Sequence, residues 1–197
     1  MVPETPSKIP LNELLALASE LQEFFQSQGW AFCFIGGLVV QTWGEPRYTK
    51  DVDITLLTGF GAEEPFIDAL LARYRSRRPD ARNFALINRV LLLESGAGIG
   101  IDIAMGALDF EEAATRRAKL VEVYPGLSLR FCTAEDLIVM KAFASRPQDW
   151  MDVRMTIVRQ GETNLDWDYI FTQLRPLAEA KEAPEILDQL SARRSRY

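Results

Sequence analysis

The stretch Phe34–Ile54 decides the fold, and it reads FIGGLVVQTWGEPRYTKDVDI. It begins as an apolar strand that runs into Gly36 and Gly37, continues through a short helical segment and a Gly/Pro turn, and closes on Asp51 and Asp53. Side chains two residues apart on a strand point to the same side and lie roughly 7 Å apart along it. The two carboxylates should therefore share one face of this strand, opposite the core.

This shared carboxylate face predicts a cation site. Two carboxylates that converge on one spot repel each other unless a cation or a proton lies between them. A hard divalent ion such as Mg²⁺ suits these oxygen ligands and leaves room for phosphate oxygens. The glycine pair supports the same interpretation, because it allows backbone N–H groups at a helix N-terminus to approach a triphosphate closely.

A third carboxylate, Asp102, lies in the apolar segment IGIDIA at residues 99–104. A lone charge between isoleucines in a central strand is costly unless it is paired or bound to a metal. If this strand lies beside residues 51–54, the three carboxylates converge as in two-metal sites for in-line phosphoryl displacement. The alternative is a strand with one solvent-facing acid, which is common in antiparallel sheets.

The composition is that of an ordinary globular protein. Its 197 residues, 48% hydrophobic and 25% charged, suit one domain or a core with an appendage. The net charge of −6 argues against broad, non-specific nucleic-acid binding but permits a local basic patch. One basic stretch contains Arg73, Arg75, Arg77, Arg78, Arg82 and Arg89. Such a stretch is typical of a solvated face, and the alternative is contact with the phosphates of an RNA acceptor.

The sequence contains no histidine, which excludes histidine-based triads, imidazole zinc sites and histidine general bases. Cys33 and Cys132 lie in apolar runs and are expected to be core residues of a reducing compartment, rather than a disulfide or a reactive thiol. Residues 1–10 lack the apolar segment of a signal peptide, and the apolar run 31–40 is too short to span a bilayer. The sequence therefore predicts a cytoplasmic protein.

The order of the elements predicts an α/β (α+β) fold, with a small mixed sheet, flanking helices and a C-terminal helical bundle. Strands are expected at residues 31–35, 51–57, 89–94, 99–104, 120–123 and 127–131. Helices are expected at residues 11–27, 36–43, 63–73, 109–117, 133–145, 147–160, 166–180 and 184–194. This layout predicts an α/β core at residues 11–131 and a helical part at residues 133–197.

The glycines at positions 96, 98 and 100 suggest a dinucleotide-binding fingerprint, but that fingerprint requires a following helix. A strand follows instead, so these glycines are better explained by a hairpin turn.

The motifs together resemble the nucleotidyltransferase superfamily related to DNA polymerase β. The pair Gly36-Gly37, the Asp51-x-Asp53 strand and the later Asp102 strand carry this resemblance over residues 35–104. Three linking residues narrow it to the AbiEii-type bacterial proteins, which include toxins of type IV toxin–antitoxin systems: Gly44, Arg47 and Thr49. The resemblance extends more weakly to the helices through Lys141, Arg146, Asp149 and Asp152.

The resemblance implies roles for these residues. Asp51, Asp53 and Asp102 would ligate Mg²⁺ or Mn²⁺, and Asp102 would help to deprotonate the attacking hydroxyl. Gly36 and Gly37 would cradle the triphosphate. Many superfamily members have serine at the second glycine, so phosphate would be held here by backbone N–H groups alone.

The resemblance also implies supporting positions around the carboxylates. Lys141 would neutralise phosphate charge, with a helix-surface lysine as the alternative, and Thr49 belongs to the proposed nucleotide or phosphate contacts. Arg47 would contact nucleotide or acceptor, or would brace the turn through Asp51. Two further acids on a later helix would shape the site, or would simply pair with Arg146 and Arg154; they are Asp149 and Asp152.

The function implied is a Mg²⁺-dependent transfer of a nucleoside monophosphate from a nucleoside triphosphate to a hydroxyl of a tRNA, a protein or a small molecule. A toxin with an antitoxin partner is a narrower hypothesis that rests on the family resemblance alone. Adenylylation of an aminoglycoside is a further alternative. A catalytically silent nucleotide-binding or protein-interaction module of the same fold is the alternative from a different functional class.

Overall fold

A computed structural model of the chain describes residues 9–195. In this part of the chain the strands are β1 Phe32–Ile35, β2 Asp51–Leu57, β3 Arg75–Ser76, β4 Val90–Glu94, β5 Gly100–Gly106, β6 Lys119–Tyr124 and β7 Leu127–Phe131. The first five helices are α1 Leu11–Ser27, α2 Gly36–Trp43, α3 Glu64–Leu71, α4 Ala81–Asn88 and α5 Asp109–Arg117. The last four are α6 Ala134–Ala144, α7 Pro147–Gln160, α8 Trp167–Ala180 and α9 Glu185–Arg194.

The strands form one mixed sheet in the order β3-β4-β5-β2-β1-β7-β6. β1 runs antiparallel to β2 and parallel to β7, whereas β2 and β5 are parallel neighbours. β4 and β5 form the predicted antiparallel hairpin, so the glycines at positions 96–100 serve its turn and the start of β5. The sheet with its flanking helices confirms the predicted α/β class.

The two faces of the sheet have different partners. Phe32 lies in an edge-to-face contact with Phe25 of α1, with ring centroids 5.1 Å apart, so α1 covers this face. The next residue, Cys33, points to the other face, where its sulfur lies 3.8 Å from the hydroxyl of Thr115 in α5. Cys33 pairs with Thr55 in β2, so the alternate residues of β2, including both aspartates, face the side that carries α5.

Both cysteines are buried and free, as expected for core residues. Burial raises the pKa of the Cys33 thiol to about 12, which keeps it protonated and unreactive at neutral pH. Among the residues that the structure describes, no helix is long and apolar enough to cross a membrane.

Helix α2 connects the sheet to the C-terminal helices. The Trp43 indole donates to the carbonyl of Cys132 over 2.8 Å, and Gln160 of α7 donates to the Trp43 carbonyl over 2.9 Å. Helices α6 to α9 share their own apolar cluster with Phe110 and Ala114 of α5. The division into residues 11–131 and 133–197 stays a prediction.

The segment between α3 and β4 contains two elements that the sequence did not predict. The basic stretch forms the short strand β3 and the helix α4. β3 has two residues and α4 has eight, so both are too short for a residue pattern that identifies an element in a sequence. The positions of the arginines therefore had to come from the structure.

A buried amide fixes α1 to strand β7. Gln22 donates to the carbonyl of Ser128 and accepts from the N–H of Arg130, both over 2.8 Å. We expect Gln22→Ala to lower the free energy of unfolding by about 1–3 kcal/mol, because two backbone groups lose their partner. Gln26→Ala, at an exposed position of the same helix, should change it by less than about 0.5 kcal/mol. Urea denaturation of both variants tests this, and equal stabilities would contradict it.

Candidate active site

The parallel pairing of β2 with β5 brings the three predicted carboxylates together. Asp53 pairs directly with Asp102, and Asp51 pairs with Gly100. Paired residues on neighbouring strands point to the same face, so all three carboxylates lie on the side that carries α5. The apolar neighbours in both strands are buried on the opposite side: Val52, Ile54, Ile101 and Ile103.

Two glycines leave the space that Asp51 and Asp53 occupy, and a third leaves space for Thr49. A Cβ atom on Gly36 would overlap the Asp53 carboxylate, and the φ of +66° at Gly36 also disfavours any other residue. A Cβ atom on Gly100 would overlap the Asp51 carboxylate. At Gly37 it would lie 2.5 Å from the hydroxyl oxygen of Thr49.

The glycine pair therefore approaches the protein's own side chains. The N–H of Gly37 donates to Asp53 Oδ2 over 3.2 Å, at the first turn of α2. The Thr49 hydroxyl donates to the carbonyl of Asp51 over 3.3 Å. The predicted cradle of Gly36 and Gly37 around a triphosphate stays a prediction.

The Asp53 carboxylate lies in an unfavourable environment for a negative charge. Burial raises its pKa, the Gly37 N–H lowers it and the neighbouring Asp51 raises it further, with a net upward shift. More distant positive charges on Lys141 and Arg47 offset this only in part. A cation at the carboxylates would remove the remaining penalty.

Arg77 is the residue of this site that sequence reasoning missed. Its guanidinium forms an ion pair with Asp102, and Nη1 lies 3.8 Å from Asp51 Oδ1. The sequence placed Arg77 only within a basic stretch, and no spacing relates it to the carboxylates. The strand order β3-β4-β5-β2 brings it within reach, and that order cannot be read from local pattern.

The other arginines of the stretch are also paired with acids. The partners are Glu20 for Arg73, Glu94 for Arg75, Asp80 for Arg78, Asp68 and Glu64 for Arg82, and Glu63 for Arg89. These pairs agree with a solvated, charge-balanced face. They leave less free positive charge for an RNA acceptor than the sequence alone suggested.

Lys141 lies in a buried ionic network next to the carboxylates. Its ammonium is 3.1 Å from Asp149 Oδ1 and 3.0 Å from Asp152 Oδ2, and its side chain is only 10% exposed. Arg146 pairs with Asp149, and Arg47 makes two 2.8 Å hydrogen bonds to Asp152. The alternative of a helix-surface lysine is therefore wrong.

The network also corrects the proposed brace through Asp51, because the partner of Arg47 is Asp152 on α7. The suggestion that the two acids of α7 merely pair with nearby arginines is incomplete. Each one also binds Lys141 of α6, so the network connects the turn before β2 to two C-terminal helices.

The network holds both acids in their ionised form. Burial opposes the charge of Asp149, but hydrogen bonds from Arg146 and Lys141 outweigh it, and the pKa of Asp149 is lowered. Burial likewise opposes the charge of Asp152, but its pKa is lowered by hydrogen bonds from Arg47, Lys141 and the Gln148 amide.

The donor atoms at the carboxylates fit a hard divalent cation. Asp51, Asp53 and Asp102 offer only oxygen atoms, which Mg²⁺ and Mn²⁺ prefer. Within residues 9–195 no three acidic, cysteine or histidine side chains stand in a ready metal-binding arrangement. Arg77 instead neutralises two of the three carboxylates.

Comparison with known proteins identifies the family of this chain. Residues 12–194 match the family described as "Nucleotidyltransferase of unknown function (DUF6036)", and the chain belongs to that family. None of the curated proteins matches the sequence significantly. The narrower grouping with AbiEii-type proteins stays a prediction.

Three solved structures are similar to this chain at low sequence identity. The solution structure of the antibiotic-resistance factor ANT(2'')-Ia is 15% identical, with a TM-score of 0.59 over 87% of this chain and 96% of that one. An antigenic nucleotidyltransferase-like protein from Paracoccidioides brasiliensis is 14% identical, with a TM-score of 0.49 over 92% and 93%. A crystal structure of ANT(2")-Ia with adenylyl-2"-tobramycin is 14% identical, with a TM-score of 0.46 over 94% and 99%. The likeness to the first structure shows a shared nucleotidyltransferase fold.

Removal of the buried ammonium should destabilise the protein. We expect Lys141→Met to lower the free energy of unfolding by about 3 kcal/mol, the lower end for a broken buried ion pair, because each acid keeps an arginine. Lys119→Met, at an exposed position of β6, should have little effect. Denaturant titration at neutral pH measures both, and an unchanged Lys141→Met variant would contradict the ionic role.

The pH dependence of the free energy of unfolding of Lys141→Met and Lys119→Met gives a second readout. Asp149 and Asp152 have lowered pKa values in the folded state, so they stabilise it above the ordinary carboxyl pKa of about 3.9. This contribution is lost as the pH falls through the lower folded-state values. As the pH falls, the free energy of unfolding should therefore decrease less steeply in Lys141→Met than in Lys119→Met.

Removal of the Asp53 charge should stabilise the protein, in contrast to removal of the Lys141 charge. Its charge is buried beside Asp51, so Asp53→Asn is expected to raise the Tm of the protein in the presence of a chelator, while the amide oxygen can still accept from Gly37. Added Mg²⁺ should raise the Tm of the wild type and leave that of the variant unchanged. Glu23→Gln, an exposed neutralisation on α1, is the control. A lower Tm for Asp53→Asn would contradict the electrostatic account.

Proposed function

We propose that this protein transfers a nucleoside monophosphate from a nucleoside triphosphate to a hydroxyl group, with Mg²⁺ or Mn²⁺ as cofactor. One observation carries the proposal: Asp53 pairs with Asp102 on adjacent parallel strands, and Asp51 lies on the same face. Membership of a nucleotidyltransferase family supports the same reaction class. An in-line displacement would release pyrophosphate.

The proposed metal ligands are Asp51, Asp53 and Asp102. A bound metal supplies Lewis acidity, which lowers the pKa of an attacking hydroxyl and stabilises negative charge on the leaving group. Asp102, with a side chain 31% exposed, is open to an incoming acceptor and is the proposed proton acceptor. Asp53 is fixed in orientation by the N–H of Gly37.

Gly36 and Gly37, Thr49, Arg47 and Lys141 are the proposed nucleotide or phosphate contacts. Arg47 has a side chain 31% exposed, so a phosphate oxygen can reach its guanidinium. Lys141 is almost covered and already neutralised by two acids, so we propose that it acts mainly by holding the arginine-bearing network in place. Its charge still favours anions near Asp53.

The proposed acceptor is a hydroxyl group, and three classes of molecule can supply it. A tRNA end, a protein side chain and a small molecule all supply a hydroxyl. A toxin role with an antitoxin partner rests on the AbiEii resemblance alone. The shared fold with ANT(2'')-Ia, an antibiotic-resistance factor, makes an aminoglycoside a reasonable acceptor to include in a screen.

A catalytically silent binding module is the second candidate. Arg77 supports it, because a guanidinium on Asp102 and near Asp51 balances these charges without any metal. Such a module would bind nucleotide without turnover, which separates it from the enzyme.

A transfer screen tests the enzyme proposal. Each of the four labelled nucleoside triphosphates is offered with Mg²⁺ or Mn²⁺ to a tRNA pool, to aminoglycosides and to the protein itself. We expect transfer in at least one combination, with a loss of roughly a hundredfold or more in Asp53→Asn and Asp102→Asn. Asp188→Asn, an exposed change on α9, should keep the activity. No transfer above the Asp53→Asn background would contradict the proposal, and nucleotide binding without turnover would favour the silent module.

A further inference from the structure

Arg77 reaches into the carboxylate site from a neighbouring edge of the sheet. Its guanidinium contacts Asp102 and lies 3.8 Å from Asp51. A guanidinium in this position reduces the repulsion between the two carboxylates, as a metal ion would. The two cations therefore compete for the same oxygen atoms.

The backbone at Arg77 is anchored, whereas its side chain is partly exposed. The N–H of Arg77 donates to the carbonyl of Leu92 in β4 over 3.0 Å, and the Ser76 hydroxyl donates to the carbonyl of Arg78 over 2.8 Å. The Arg77 side chain is 29% exposed, so its guanidinium can leave the carboxylates by a rotamer change. No strand has to separate for that movement.

Gly100 keeps the path of this side chain open. A Cβ atom at Gly100 would lie 3.3 Å from Arg77 Nη1 and would overlap the Asp51 carboxylate. The guanidinium and Asp51 thus share a space that any other residue at this position would fill. The same space lies beside the proposed metal ligand Asp51.

We propose that Arg77 is a further ligand-binding residue of this site: it holds Asp51 and Asp102 in the metal-free protein, yields them to the divalent ion, and then binds the triphosphate that arrives with that ion. The inference rests on the proposed function. A metal alone must displace the guanidinium and leaves it without an anion. A metal with triphosphate gives the guanidinium a new anionic partner, and arginine binds phosphate oxygens in a bidentate manner.

This exchange predicts opposite effects on two affinities. We expect Arg77→Gln to bind Mn²⁺ alone roughly fivefold more tightly, because the competing cation is gone. The same variant should bind the preformed Mn²⁺–inorganic triphosphate complex roughly fivefold more weakly, because the phosphate contact is lost. A purely structural ion pair would not shift the two affinities in opposite directions.

The experiment measures Mn²⁺ binding by the loss of the free Mn²⁺ EPR signal, and binding of the Mn²⁺–triphosphate complex by calorimetry at excess Mn²⁺. Arg78→Gln is the matched control, because Arg78 is the next residue along the chain and pairs with Asp80 just before α4. It should behave as wild type. Arg77→Lys keeps the charge but loses the planar guanidinium. Both of its affinities should lie between those of wild type and Arg77→Gln.

Unchanged or weaker Mn²⁺ binding by both Arg77 variants would overturn the competition, and unchanged or tighter binding of the triphosphate complex would overturn the phosphate contact. Asp53→Asn separates this inference from the proposed function. If wild type and Arg77→Gln both fail to bind Mn²⁺ above the level of Asp53→Asn, the metal site itself is wrong and both proposals fall.

Discussion

The site depends on the register between two parallel strands. β2 and β5 are paired so that Asp53 stands directly opposite Asp102, with Asp51 two residues away on the same face. A shift of one residue in β5 would turn Asp102 towards the apolar core and bring Ile101 or Ile103 to the carboxylate face. Burial of these isoleucines on the other side therefore fixes the register, and the register fixes the carboxylates.

The carboxylates are unfavourable neighbours, and the surrounding chain limits their repulsion in three ways. Gly36 and Gly100 leave space for two of them, the N–H of Gly37 binds Asp53, and Arg77 binds Asp102. A second ionic network around Lys141 attaches the C-terminal helices to the turn before β2. Packing and electrostatics therefore both determine how the carboxylates of β2 and β5 are held.

The elements with a strong residue pattern could be predicted from the sequence alone. Strand β2, the β4–β5 hairpin and the shared face of the aspartates followed from alternation and from the glycine-rich turn. Local pattern could not supply the order of strands in the sheet, which brings Arg77 to the site. It also could not show that Lys141 is buried between two acids, because one lysine in a helix has no periodic signal. Both residues depend on contacts between distant parts of the chain.

The three aspartates are proposed to form a divalent-metal site beside a bound triphosphate. The most direct measurement is anomalous diffraction at the manganese edge, from crystals grown with Mn²⁺ and a non-hydrolysable nucleoside triphosphate analogue. We expect an anomalous peak in contact with Asp51, Asp53 and Asp102, with the Arg77 guanidinium moved to the phosphates. A peak at another site, or none while Arg77 still contacts Asp102, would contradict it.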